Sequence, residues 1–91
     1  MLFRSQQNLG VLARLAGDPD LARRHLQAAI ADDPRNVVAR RHLARLHETV
    51  YGEPAEALRL CREIARLAPQ EPGVADCIAR NERLAPPPPR P

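Results

Sequence analysis

Apolar residues along this chain recur with helical rather than alternating spacing, and clusters of helix breakers cut them into short runs. Gly17, Asp18 and Pro19 stand together, followed by Asp33 with Pro34, Gly52 with Pro54, and then Pro69, Pro72 and Gly73. The runs between them predict five helices, over 3–15, 19–31, 36–50, 54–67 and 73–84. Gly17 and Gly52 suit left-handed C-terminal caps, where a Cβ would be strained. Asp18 and Asn36 are placed to cap the second and third helices, with Pro19 and Pro72 suited to first turns. Asp20, Asp32 and Asp33 read as turn formers and helix-end charges. In the last helix Val74, Cys77, Ile78 and Leu84 make an apolar arc opposite Asp76, Arg80 and Arg83. Asn81 and Glu82 stand where a further helix would pack, which suits a solubilising terminal helix.

The segments also match one another. LGVLARLAGDPDLARRHLQAAIADDP aligns with LARLHETVYGEPAEALRLCREIARLAP. Pro34 and Pro69 are 35 residues apart, as are Gly17 and Gly52, Ala22 and Ala57, Leu26 and Cys61, and Ala29 and Ile64. Leu9 and Leu43 are 34 apart. Large–small pairs recur at Leu9–Gly10, Leu43–Ala44 and Ile78–Ala79, as close helix–helix approach requires. Two-helix units at this period, with these small residues and terminal prolines, resemble the tetratricopeptide-repeat (TPR) family.

The resemblance covers residues 3–84 and implies an all-α fold, a TPR-like right-handed helical-hairpin solenoid of two repeats plus a C-terminal capping helix. The domain would span 1–84, with repeat one at 3–36, repeat two at 37–71 and the capping helix at 72–84, and 85–91 would be a Pro-rich disordered tail. Expected in the core are Leu9, Ala13, Ala22, Leu26, Ala29, Leu43, Ala44, Ala57, Leu58, Ile64 and Ile78. The sequence departs from the family pattern where aromatic rings are usual, at Gln6, Arg40, Ala75, Ala13, His47 and Glu82. Arg23 takes a usually aliphatic site, and one extra residue falls around Tyr51. A DNA-binding helix-turn-helix is the competing fold, but two hairpins with shared punctuation argue against it.

Composition supports a small helical domain. The 91 residues allow one domain, and only 2% are aromatic, so the apolar 44% rests on helix-forming Leu and Ala. All 14 basic residues are Arg, with a net charge of +3. Abundant Arg, Ala and Pro without Lys suggests a GC-rich bacterial source. The start MLFRSQQN lacks a secretory apolar stretch, and no run reaches membrane-spanning length, so the expectation is cytoplasmic, without membrane association.

No phosphate-binding or nucleophile motif is present, and Ser5 and Thr49 are the lone hydroxyl residues of their kinds. The expectation is a non-enzyme without cofactor, catalytic residue or metal. His42 and His47 are five apart, which does not place them on one helical face, and His25 lies on another helix. Cys61 and Cys77 could meet as a disulfide, but read first as small apolar residues.

The resemblance further implies that the first helix of each hairpin lines a concave, partner-binding groove. Its residues would be Arg4, Gln7, Val11 and Arg14, then Val38, Arg41, Arg45 and Glu48, then Asp76, Arg80 and Arg83. Six arginines against two acids would attract an acidic segment. The family's carboxylate clamp of Lys and Asn is not supported, since the chain has no Lys and only Asn8 there. The Pro86–Pro89 and Pro88–Pro91 spacings read as an extended tail without a dedicated receptor. The function expected is a protein or peptide-binding adaptor. Self-assembly into a homo-oligomer is the alternative, and nucleic-acid binding is less favoured because no aromatics are placed to stack bases.

Overall fold

The computed structural model describes residues 6–85. Among these, five helices and no strand occur: α1 (Gln6–Leu15), α2 (Pro19–Asp32), α3 (Val37–Thr49), α4 (Pro54–Leu67) and α5 (Val74–Leu84). The ends of α2 to α5 fall within one residue of those the sequence predicts. The expected start of the first helix at residue 3, the site residue Arg4 and the tail at 86–91 lie outside the described residues.

Local chemistry sets these boundaries. The Leu21 amide donates to Asp18 Oδ1 at 3.1 Å and the Ala39 amide to Asn36 Oδ1 at 2.9 Å, so both expected N-caps form. Gly17 and Gly52 take positive φ of 83° and 61°, as a reversing C-terminal cap requires. Helix α5 differs from expectation. Pro72 does not open it; Gly73, at φ 82°, is the N-cap, and its carbonyl accepts the Cys77 amide.

Helices α1 and α2 pack as one hairpin and α3 and α4 as a second, with α5 laid against α4. Contacts of α3 with α2 and α1 join the hairpins. Leu26, Leu46 and Leu60 are wholly buried between them, with Ala22, Ala39 and Ala57 letting the helices approach. Most of the expected core is buried. Leu9 and Ile78 are corrections, each half-buried, with Ile78 packed on the edge of the core. Leu84, the last residue of the apolar arc, ends α5 and is 64% exposed.

The polar departures from the family pattern are absorbed in specific contacts. Arg40 is buried, its Nε donating to Glu63 Oε1 of α4 at 3.2 Å and its Nη1 to the Asn36 carbonyl. A long Arg stem thus fills space a ring would take, while its charge is paired. The extra residue near Tyr51 is taken up in the turn, where the amides of both Val50 and Tyr51 donate to the Leu46 carbonyl. Tyr51 then bridges the hairpins: Arg23 lies 4.9 Å over its ring and its hydroxyl donates to Asp20 Oδ1 at 2.6 Å. His47 is buried against Tyr51, with Nδ1 3.1 Å from Glu53. Asn81, expected on an open face, is fully buried, because it continues the stripe of Val74 and Cys77. Its Nδ2 donates to the Cys77 carbonyl at 2.8 Å. Glu82 stays exposed and pairs with Arg62 at 3.0 Å.

Candidate functional site

The hairpin packing leaves an open pocket of about 310 Å³ between α3, α4, α5 and the loop that precedes α5. Arg41 and Arg45 enter it from α3, four residues apart and therefore on one helical face. Asp76 and Arg80 enter from α5 by the same spacing. Cys61 and Ile64 of α4 contribute to its wall, and Glu71 closes the loop side.

Four of the expected groove residues, Arg41, Arg45, Asp76 and Arg80, thus come together. Glu48 stands beside them without lining the pocket, and Arg80 grips it with two prongs. Arg80 Nε donates to Oε2 at 2.8 Å and Nη2 to Oε1 at 3.0 Å. Those bonds hold the Glu48 carboxyl below the usual carboxylate range, against the opposing effect of burial. Arg14 of α1 lies close enough to act on His42. Burial first, and then the charges of Arg14, Arg41 and Arg45, hold that imidazole below its ordinary value. Gln7, Val11 and Val38 are half-buried and do not line the pocket, and neither does the exposed Arg83, one turn beyond Arg80.

The charge balance also differs from expectation. Glu71, which no helical periodicity singles out, accepts from Arg41 Nη1 at 2.7 Å. In the pocket itself Arg41, Arg45 and Arg80 stand with Glu71 and Asp76, while Arg14, Arg83 and Glu48 of the expected set do not line it. Arg41 and Arg80 are each engaged but remain about half exposed, at 50% and 46%. Arg45 is exposed and makes no ion pair among the described residues. Such a surface can take a carboxylate on Arg45 and share the outer edges of two further guanidinium forks.

Cys61 and Cys77 are joined as a disulfide, with Cα atoms 6.1 Å apart, which corrects the expectation of two unpaired small residues. The physical reason is the close packing of α5 on α4, which brings two buried positions face to face. The cross-link lies in the wall of the pocket and ties its α5 side to its α4 side.

No helix among the described residues is long and apolar enough to cross a membrane. A family model described as a tetratricopeptide repeat matches residues 13–80, from the last turn of α1 through α2, α3 and α4 and most of α5. A search of curated proteins finds no match to the chain.

Proposed function

The chain belongs to the tetratricopeptide-repeat family, and from that membership we propose that it is an adaptor whose α3–α5 groove holds an acidic segment of a protein partner. Domains of this family generally mediate protein–protein interaction. The observation that carries the acidic preference is Arg45, exposed and without an ion pair among the described residues, in the same pocket as the half-exposed forks of Arg41 and Arg80. In this reading the chain is not an enzyme, works in the cytoplasm and uses the groove to position a partner.

The test is fluorescence anisotropy at low salt with Asp/Glu-rich, neutral and Arg-rich peptides of equal length. The acidic peptide should bind best, and Arg41→Glu with Arg45→Glu should weaken it by about tenfold or more, roughly 1.4 kcal/mol, with helicity intact. Equal binding of all three peptides, or unchanged affinity in the double variant, would remove the acidic-groove reading. Tighter binding of a nucleic-acid strand than of the acidic peptide would favour the phosphate alternative.

Self-assembly is a second reading, favoured by α1. Leu12 and Leu15 of that helix are 47% and 71% exposed. Repeat units draw stability from stacked neighbours, and a second copy could cover this side. The melting temperature should then rise with protein concentration. A monomer whose melt is independent of concentration would remove the self-assembly reading.

A further inference from the structure

We propose that reduction of the Cys61–Cys77 disulfide creates a site for a thiophilic divalent cation, zinc in the first instance, with Glu48 as its third protein ligand. The basis is convergence. Glu48 comes from α3, Cys61 from α4 and Cys77 from α5, and their ligand atoms lie within 4.8 Å of one another. Zinc holds thiolates at about 2.3 Å and carboxylate oxygens at about 2.0–2.2 Å, so atoms sharing one ion stand roughly 4 Å apart. The Cys61 and Cys77 Cα atoms, 6.1 Å apart, allow both sulfurs to reach a common ion by side-chain rotation.

The surroundings of Glu48 suit a ligand. Oε1 lies 3.5 Å from Cys77 Sγ, while Oε2 is held separately by Arg80 Nε at 2.8 Å. A cation can take Oε1 in place of the second Arg80 contact, leaving Arg80 on Oε2 to orient the carboxylate. Asn81 Nδ2 is 3.6 Å from Cys77 Sγ, a buried donor to a thiolate there. Asn81 Oδ1 is buried without a hydrogen-bond partner among the described residues, an acceptor that a metal-bound water in the fourth position would satisfy. Arg45 and Arg80 oppose a cation, but two thiolates and one carboxylate supply three negative charges beside it. None of the three ligands belongs to a histidine pair or a short metal-binding motif, so only the packing of three helices assembles them.

The chemistry balances. A phosphine cleaves the sulfur–sulfur bond and becomes its oxide with oxygen from water, leaving two thiols that carry the water's two protons. Zinc then displaces both protons as two zinc–sulfur bonds form. The oxidised chain has no thiolate to offer, so the site exists in one redox state only.

The test titrates the full chain with cobalt and then zinc, after phosphine reduction confirmed by counting free thiols. The reduced chain should bind one equivalent of cobalt with thiolate charge-transfer absorption, and zinc should displace it. The oxidised chain should show neither. Cys77→Ser should abolish the absorption, and Glu48→Gln should weaken binding by about tenfold or more. If reduction lowers helicity, zinc should restore it. The proposal is overturned if the reduced chain binds no more than the oxidised one, if Glu48→Gln binds as tightly as the parent, if zinc fails to restore lost helicity, or if excess phosphine frees no thiols.

Discussion

Leu26→Ala is expected to lower stability by about 2–5 kcal/mol, read as a fall in the urea midpoint with little change in slope. Leu26 has no exposed surface and sits where α2 crosses α1. Its partner there is Gly10. A Cβ on Gly10 would come within 2.7 Å of Leu26 Cγ and 2.9 Å of Cδ2, so the leucine already fills the space the glycine leaves. Gly10→Ala alone should therefore lose to overpacking the ~1 kcal/mol that alanine gains in a helix. In the Leu26→Ala background the side-chain clash is gone and the same change should stabilise, although the Ala22 carbonyl at 3.2 Å limits the gain. A double-mutant cycle should show a coupling of roughly 0.5–3 kcal/mol. Additive effects, or a Leu26→Ala loss under about 0.5 kcal/mol, would place the α1–α2 contact on the wrong helix faces.

Removing the cross-link should have a comparable effect. The two cysteines are 16 residues apart in sequence, and closing a loop near this length stabilises by about 3 kcal/mol in the chain-entropy description. Helix α5 depends on it more than the others would. It buries only Val74, Cys77 and Asn81, and no described element packs on its far side. The Cys61→Ala, Cys77→Ala double variant should thus lose about 3 kcal/mol. Its amide exchange should quicken first in α5, while α1 and α2 stay protected. Exchange that quickens equally in all five helices, or not at all, would show that the cross-link does not hold α5 in place.

The part of the fold that depends on local chemistry was legible. Gly17 and Gly52 mark hairpin turns because few other residues tolerate positive φ, and Asp18 and Asn36 mark helix starts because their side chains reach the next amides. That Arg41 and Arg45 share one pocket with Asp76 and Arg80 was legible for a related reason: helical periodicity puts each pair on a common face. Contacts that depend on distance across elements were not. Glu71 sits in a loop, outside any periodic face, yet pairs with Arg41. The polarity of Asn81 suggested an open surface, whereas the side chain is buried and its Nδ2 donates inside α5 to the Cys77 carbonyl. The pairing of Cys61 with Cys77 needs the α4–α5 distance, which spacing in sequence does not supply. Tyr51 looked like an interruption of the repeat. In place, it takes over part of the hairpin-to-hairpin packing that the missing aromatics would otherwise supply.

The central claim is that partners dock on the concave side through the arginines of α3 and α5. It is tested most directly by NMR of the arginine Nε–Hε groups during titration with an acidic peptide. Arg41, Arg45 and Arg80 should shift together and saturate at one peptide concentration, while Arg24 of α2 and Arg59 and Arg66 of α4 stay in place. Shifts concentrated on Arg24, Arg59 and Arg66, or spread evenly over all six, would contradict it.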